Sequence, residues 1–501
     1  MILDILKDSS LTYGQKVIAL ARAAEDSVEP ITLSPKLKHY LDTEVIHHMF
    51  EGNAPYRPRY IVPNYNLLME KGCAFLKLAP PTNLVEALET LKVFYHHVPS
   101  ITTFPVYIGE LDTLLGPFVP EQTEEAYQQL KWFLIHLDRT ITDSFCHANL
   151  SGTDNPVARM LLKLERELEH SVPNLTLKVK SDTPNALMEE AVLTALKVAK
   201  PSFANDSMFL GDFSQRPYGI VSCYNGLLEG GGSYTLVRLN LGRLAELVMT
   251  NTKEATDSVA MFMDQLKDAV QTMLLYMDQR VDFLLDESDF FQSHFLVKEG
   301  FISTAGFTAM FGLVGLADAV NAILGPKQFG WTSEAEALGL KVIQAIEAQV
   351  NQHHHKALYA TDGKYVLHAQ VGLDVDMGIS PGCRIPIGNE PPMPEHILRS
   401  APYHKYFPSG IGDIFRFDET VGKNPASAVS IIRGAFKHGL RYFSLYEDNA
   451  DVVRITGYLV KKSDIEKLRR GEQVINDAAV LGKGAVENQK VLDRKLRTDL
   501  K

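Results

Sequence analysis

The pattern that most constrains the fold begins near Pro201, where short β-branched or aromatic runs start to alternate with helical patterns. Strands that alternate with helices indicate layers of sheet and helix rather than a bundle or a sandwich. The sequence therefore predicts an α/β protein. We expect strands at 233–241, 300–305, 365–371, 442–445 and 451–460, and helices from 244 onward and within 313–324.

The first two hundred residues have a different hydrophobic pattern, with the amphipathic period of about 3.6 residues that is typical of helices. We predict helices at 84–95, 124–138, 155–168 and 186–199. Asp154, before Asn155 and Pro156, is a helix-start signal, because proline is favoured in the first helical turn. These patterns predict three regions: a mainly helical one at 1–200, an α/β core at 201–450, and a C-terminal loop and helical tail at 451–501.

Charge and cysteine content limit the class of protein. A net charge of −11 and a pI near 5.8 argue against a general nucleic-acid binder, which would carry a basic surface. The four cysteines are dispersed and include no CxxC pair, which favours a reducing cytoplasm. The N-terminus does not read as a signal peptide, and no apolar run reaches membrane-spanning length. We therefore expect a soluble cytoplasmic protein that uses neither membrane nor nucleic acid.

One glycine interrupts the β-branched run near the C-terminus, at Gly457. Glycine inside a strand pattern usually marks a bulge or a close backbone approach. Glycine also has a chemical property of its own. Loss of one α-hydrogen leaves a planar radical that is delocalised onto both neighbouring peptide groups, and no Cβ crowds that centre. Gly457 is therefore either an ordinary bulge or a site that stores a radical.

A stored radical needs a thiol to reach a substrate, because the S–H bond is close in strength to the glycine C–H bond. Cys73 and Cys146 lie in apolar segments, where a buried, inert thiol is the default, and we expect Cys146 near the end of a helix. Cys383 lies in a loop rich in proline and glycine, which we expect at 381–408, and is a candidate second thiol. Cys223 follows a short β run and precedes a glycine-rich stretch, as a thiol on an inserted loop would.

Three segments carry a resemblance to a known family. Arg454, Ile455, Gly457 and Tyr458 resemble the radical-bearing loop of the glycyl radical enzymes, with Thr456 where Cys, Ser or Ala is more usual. Residues 231–245 resemble the stretch that follows the thiyl cysteine in anaerobic ribonucleotide reductases, and 311–317 resemble a strand-to-helix turn of the same enzymes. As a whole the chain is most similar to the YjjI-type glycyl radical proteins.

The resemblance implies a fold and a cofactor. It implies a ten-stranded α/β barrel surrounded by helices, inside which the cysteine loop and the glycine loop meet. Gly457 would store a post-translational radical, and Cys223 would become the thiyl that attacks a small-molecule substrate. A radical S-adenosylmethionine activating enzyme would be the partner, the protein would work anaerobically as a homodimer, and no bound metal is expected.

The residues near Cys223 constrain the reaction. Tyr224 follows it, where formate acetyltransferase-type enzymes have a second cysteine. Asn225 stands where the glycyl radical diol dehydratases have a glutamate base, and Glu229 is the nearest acid. Asn225 and Glu229 are thus candidate substrate or base residues. Elimination, C–C cleavage and rearrangement of a small oxygenated molecule all stay open.

Other functions also stay open. The chain could be a barrel protein without radical turnover that binds or scaffolds, an enzyme like ribonucleotide reductase, or a radical donor subunit. The four-cysteine zinc site of the anaerobic reductases has no counterpart in the sequence. His353, His354 and His355 suggest a metal site, but consecutive helical positions point about 100° apart and would not converge on one ion.

Overall fold

The computed structural model describes residues 2–480 except 50, 53, 102, 144, 251–254, 370–375, 377, 448–449 and 456. Thr456 and positions 370–371 of the predicted strand at 365–371 therefore lie outside the described residues, as does the tail at 481–501.

The strands of the described residues are β1 (Ile46–His47), β2 (Tyr60–Val62), β3 (His147–Leu150), β4 (Asn174–Val179), β5 (Ser202–Asn205), β6 (Tyr218–Val221), β7 (Asn225–Leu228), β8 (Gly231–Asn240), β9 (Phe307–Val314), β10 (Val366–Ala369), β11 (Asp413–Phe417), β12 (Tyr442–Glu447), β13 (Val452–Arg454) and β14 (Leu459–Lys461).

The helices of the described residues are α1 (Ile2–Lys7), α2 (Tyr13–Glu25), α3 (Pro35–Asp42), α4 (Tyr65–Lys71), α5 (Leu84–Tyr95), α6 (Leu111–Leu115), α7 (Glu124–Thr140), α8 (Pro156–Leu168), α9 (Asn185–Val198), α10 (Asp206–Asp212), α11 (Leu241–Thr250), α12 (Ala255–Asp282), α13 (Phe290–Ser293), α14 (Phe295–Lys298), α15 (Leu316–Leu324), α16 (Ser333–Gln352), α17 (Met393–His404), α18 (Pro425–Lys437) and α19 (Lys462–Arg469). None of them is both long and apolar enough to cross a lipid bilayer.

Two five-stranded sheets form the centre of the fold. Sheet one has the order β1-β8-β9-β10, with β2 also paired to β8, and sheet two has the order β11-β12-β5-β4-β3. In sheet two, three pairs are parallel and β12 pairs with β5 antiparallel. In sheet one, the pairs β8–β9 and β9–β10 are parallel, whereas β1 and β2 pair with β8 antiparallel. Every residue of β8 and β9 is buried, and α12 packs against β8. The predicted α/β class is confirmed.

The predicted closure of a ten-stranded barrel is not found in the strand pairing. Among the described residues, hydrogen-bonded ladders leave sheet one and sheet two separate. A barrel closes only when its edge strands also pair with each other. In the described part of the chain, ten strands therefore lie in two separate sheets.

Three local predictions are wrong for identifiable reasons. The helix expected from Asp154 is instead capped by Asn155, whose side chain accepts from Ala158 N at 2.9 Å. Residues 300–305 form a turn and a short 3₁₀ helix, since Gly300 has φ +75°, and the strand begins at Phe307. The 381–408 loop contains helix α17, which has Pro394 in its first turn.

The helices predicted before residue 200 are confirmed to within two residues, but this region also contributes strands. Strands β3 and β4 lie within it, and β4 pairs with β5 beyond the predicted boundary. Cys146 is not near a helix end as expected, because α7 ends at Thr140 and Cys146 directly precedes β3. The division at 200 and 450 stays a prediction.

Candidate active site

Cys223 lies at the tip of a two-stranded hairpin. Strands β6 and β7 pair antiparallel from Tyr218 opposite Leu228 to Val221 opposite Asn225, which leaves 222–224 as the connection. The whole hairpin is buried, and Cys223 is 2% exposed. The thiol is thus presented on a loop inside the protein, the placement that the sequence predicts.

Both sheets form hydrogen bonds with the hairpin. From sheet two, Asn149 donates to Ile220 O and accepts from Ile220 N, both at 2.8 Å. His147 Nδ1 lies 3.1 Å from Ser222 O. From sheet one, the carbonyl of Ala369 at the end of β10 accepts from the Tyr224 hydroxyl at 2.6 Å. The tip is therefore buried and held by hydrogen bonds from both sheets.

Gly457 lies in the turn of a second hairpin. The predicted strand at 451–460 is in fact β13 and β14 paired antiparallel, with Ile455 N donating to Tyr458 O across the turn at 3.0 Å. The glycine is required here by a close approach rather than by its φ angle. A Cβ built on Gly457 would lie 1.9 Å from Cys223 Cβ and 3.0 Å from Cys223 Sγ. Any larger residue would therefore displace the thiol loop.

The same geometry brings the two predicted radical residues into contact. A Cα–Cβ bond is about 1.5 Å long, so Gly457 Cα lies no more than about 4.5 Å from Cys223 Sγ. One α-hydrogen of Gly457 occupies the Cβ direction and points at Cys223. A hydrogen atom could pass between the α-carbon and the sulfur without a large movement of either loop.

Two buried side chains hold the Gly457 carbonyl. Asn174 Nδ2 donates to Gly457 O at 2.9 Å and to Ser222 O at 3.4 Å, so one amide links both loops. Arg454 donates to Gly457 O at 3.2 Å and to Asn174 Oδ1 at 3.0 Å. Sequence reasoning missed Asn174. Its only signal is a polar residue at the start of an otherwise buried strand, directly after Pro173.

The Cys223 side chain is held as a neutral thiol. Burial raises its pKa to about 11, against the smaller opposing effects of the Tyr224 N–H and of the guanidiniums of Arg384, Arg454 and Arg59. At neutral pH the sulfur therefore keeps the hydrogen that it would give to a glycyl radical. That S–H donates to Asn225 Oδ1 at 3.0 Å.

The structure brings Asn225 to the thiol but not Glu229. Glu229 lies at the other end of the hairpin, where its N–H donates to Pro217 O. Strand β7 separates it from the tip by four residues, or about 13 Å. Its carboxylate accepts from the Tyr107 hydroxyl at 2.8 Å, and burial raises its pKa. It lines a cavity of about 260 Å³ at that end.

The other thiols occupy different surroundings. All four cysteines are buried and free. Cys383 follows Gly382, which packs against Ala369 at the end of β10. Burial and the nearby Asp413 raise the pKa of Cys383. The three atoms nearest to a Cβ on Gly457 all belong to Cys223 rather than to Cys383.

The histidine triplet follows α16, and two of its members, His353 and His355, each pair with a different carboxylate of α12. His353 Nε2 lies 2.8 Å from Asp278, and His355 Nε2 lies 3.1 Å from Asp282. Across the part of the chain that the structure describes, no group of three or more His, Cys, Asp or Glu side chains is arranged to hold a metal ion.

Comparison with known proteins assigns the family. The profile of the family described as "Glycyl radical enzyme YjjI-like" matches residues 11–497. The chain belongs to this glycyl radical enzyme family. Two relatives match along their lengths: a Haemophilus influenzae protein described as uncharacterized (44% identical, covering 99% of this chain and 97% of the relative) and the Escherichia coli protein YjjI, also described as uncharacterized (39% identical, covering 99% and 95%).

Solved structures of glycyl radical enzymes share the fold. An anaerobic ribonucleotide reductase superposes with a TM-score of 0.68 at 14% identity, covering 87% of this chain and 81% of the reductase. The glycerol-bound B12-independent glycerol dehydratase from Clostridium butyricum gives 0.60 at 14% identity, covering 79% and 67%. The family resemblance predicted from sequence is confirmed: this glycyl radical enzyme belongs to a family whose members are enzymes with a post-translational glycyl radical as cofactor.

Proposed function

We propose that Gly457 stores the radical in this glycyl radical enzyme and that Cys223 is the thiyl residue that attacks the substrate. The contact between them supports the assignment, because a Cβ on residue 457 would lie 3.0 Å from the Cys223 sulfur. The absence of a Cβ at 457 also fits a planar carbon radical, which needs both faces uncrowded.

The steps follow from the bonds that each residue offers. The Cys223 S–H bond breaks homolytically and its hydrogen atom joins the Gly457 α-carbon, which leaves an intact glycine and a sulfur radical. The sulfur radical then takes one hydrogen atom from a substrate C–H bond, which restores S–H and leaves the electron on the substrate carbon. After the substrate rearranges, loses a group or breaks a C–C bond, the product radical takes the hydrogen back.

Activation requires an outside enzyme, for which we propose a radical S-adenosylmethionine activase. The C-terminal hairpin and α19 support this step because most of their apolar side chains, including Ile455, Tyr458 and Ile465, form a cluster separate from the main core, whereas Val452 and Leu459 pack against the main body. A segment with its own small core can leave the Cys223 hairpin while the rest of the chain stays folded.

We place the enzyme in an anaerobic cytoplasm as a homodimer, and we propose that its two sheets face each other as the halves of a ten-stranded barrel.

The substrate that we propose is a small oxygenated organic molecule. A cavity of about 460 Å³ ends at Gly226, three residues beyond Cys223 on the same hairpin, and Cys223 itself does not line it. The small size of the substrate is therefore proposed from the enclosure of the thiol, which is 2% exposed. Enclosure of the tip supports radical chemistry, because water and oxygen are kept from the sulfur.

Solvent deuterium exchange tests the proposal without a known substrate. The protein is activated anaerobically and transferred to D₂O, where the Cys223 thiol exchanges its hydrogen for deuterium. Repeated transfer between sulfur and α-carbon should then replace the remaining α-hydrogen of Gly457, so the doublet in the electron paramagnetic resonance spectrum should collapse to a singlet. Cys223→Ser should keep the doublet. A doublet that collapses equally in Cys223→Ser would refute the assigned pair, and a chain that never acquires a radical would favour a binding protein without turnover.

A further inference from the structure

In the side-chain amide of Asn225, the oxygen accepts a hydrogen bond within the protein and the nitrogen has no acceptor among the described residues. Its Oδ1 accepts from the Cys223 thiol at 3.0 Å, which fixes the amide beside the sulfur. Its Nδ2 is buried without a hydrogen-bond partner among the described residues, and Asn225 is 0% exposed. A buried donor without an acceptor costs about 1–3 kcal/mol, so native proteins rarely keep one unless something else binds it.

Position limits what can bind that donor. Hydrogen transfer needs the substrate carbon about 3–3.5 Å from the sulfur, and an N–H···O bond needs its oxygen about 2.9 Å from Nδ2. Because Oδ1 and Nδ2 share one carbon, the two positions are close together, and a molecule with its oxygen on the reacting carbon or on the next one can meet both conditions. Asn225 cannot take a proton, so this oxygen is an acceptor rather than a hydroxyl awaiting deprotonation.

The charges around the thiol favour an anion. The guanidiniums of Arg384, Arg454 and Arg59 all act on Cys223 in the direction that stabilises negative charge. Arg384 also lies over the ring of the neighbouring Tyr224, 5.6 Å from its centre. Arg59 is paired with the buried Glu51 at 2.8 Å, and Arg384 acts on the buried carboxylate of Asp413, so these two charges are partly neutralised. The positive potential that would favour a carboxylate over a polyol comes mainly from Arg454.

We infer that the substrate of this enzyme is a small organic acid whose carboxylate or keto oxygen accepts from Asn225 Nδ2 next to the C–H bond that Cys223 attacks. The inference rests on the proposed function for the identity of the attacking thiol. It gives Asn225 the part of a substrate-binding residue in place of the base that a glutamate at this position would provide.

Binding to the unactivated protein tests the inference with matched pairs of probes. Lactate is compared with 1,2-propanediol, glycolate with ethylene glycol, and glycerate with glycerol, by thermal shift and calorimetry. Each pair has the same carbon skeleton and differs in the acid group. A hydrogen bond to a charged acceptor contributes about 1.5–3 kcal/mol, so at least one acid should bind about tenfold or more tightly than its polyol.

Two variants of Asn225 assign the effect to the amide. Asn225→Asp has nearly the same volume but replaces the donor by a negative charge, so it should lose the preference for the acid. Asn225→Ala should lose it too, and circular dichroism checks that both variants fold. Retention of the preference in both folded variants would overturn the inference. Tighter binding of the polyol in each pair, or no stabilisation by any acid at its highest soluble concentration, would also overturn it.

These outcomes are separate from the test of the proposed function, because binding needs no radical. Deuterium exchange at Gly457 without a preference for acids would refute the organic-acid substrate and leave the radical pair intact. A preference for acids in a protein that never forms a radical would refute the radical pair and keep Asn225 as a binding residue.

Discussion

Asn174 donates a hydrogen bond to the carbonyl of Gly457 at 2.9 Å, although 283 positions separate the two residues in the chain. The same amide nitrogen lies 3.4 Å from Ser222 O, next to the thiol. One side chain of β4 thus sets where the glycine loop stands relative to the cysteine loop. The bond also draws electron density toward the carbonyl onto which a radical at Gly457 would delocalise.

Asn174→Ala should therefore change the radical itself. With one donor fewer on the carbonyl, more spin should stay on the α-carbon, so the doublet splitting in the electron paramagnetic resonance spectrum should increase. Without Asn174 the glycine loop and the cysteine loop are held less firmly relative to each other, which should slow deuterium exchange by about 10- to 100-fold. Asn149→Ala is the control, because Asn149 holds the same hairpin at Ile220 and does not touch Gly457. An unchanged splitting in Asn174→Ala, or an equal change in Asn149→Ala, would contradict this role.

Activation should place a radical on Gly457. Anaerobic incubation with a radical S-adenosylmethionine activase, reductant and S-adenosylmethionine should produce a doublet that is missing in Gly457→Ala. Gly434→Ala is a matched control, since a Cβ on this glycine of α18 meets no atom within 4 Å. That variant should keep the full signal. The same doublet in Gly457→Ala would disprove the site.

Air should cut the activated chain at Gly457. Oxygen adds to a carbon-centred radical, and the peroxyl product fragments the backbone at that residue. Mass spectrometry should find a large N-terminal body and a short C-terminal fragment that begins at position 457. A fully activated protein that stays intact in air would count against a radical at this position.

Cys223 and Cys383 should not be interchangeable. Cys223→Ser should keep the glycyl radical, because the activase acts on Gly457 directly, and should lose turnover in an anaerobic metabolite screen. Cys383→Ser should keep at least part of the activity, since the contacts of Gly457 are with Cys223. Loss of turnover in Cys383→Ser together with an active Cys223→Ser would reverse the assignment.

The Cys223 thiol should titrate near pH 11. Burial raises its pKa to about 11 from an ordinary 9.0. When the thiolate absorbance of Cys223→Ser is subtracted from that of the wild type, the difference should therefore titrate with a midpoint near pH 11. Deuterium exchange should fall over the same range, because a thiolate has no hydrogen atom to give. The folded state binds the proton more tightly than the unfolded state. The stability of the wild type relative to Cys223→Ser should therefore be constant below pH 9 and fall by about 2–3 kcal/mol by pH 11. A midpoint near 9 would show that the thiol is exposed.

The class of the fold and the two residues proposed to carry the radical follow from the amino-acid sequence alone. Alternation of strand and helix patterns indicates α/β layers whatever their arrangement. Gly457 and Cys223 are recognisable because the chemistry depends on residue type: a glycine for a planar radical and a thiol in a glycine-rich context. Local signals also predicted several helices, such as α5, whose predicted bounds match the structure.

Which side chains come into contact at the site depends on the long-range packing of the chain. Glu229 and Asn225 are both close to Cys223 in sequence, yet the hairpin carries Glu229 to its far end and turns Asn225 toward the sulfur. Asn174 reaches Gly457 because β4 lies in the sheet behind both loops, a contact that no local pattern encodes. The close approach of Gly457 to Cys223 likewise depends on two hairpins that are fixed by long-range hydrogen bonds. Sequence periodicity reports which face of an element is buried, whereas the partner across that face is chosen by the packing of the whole chain.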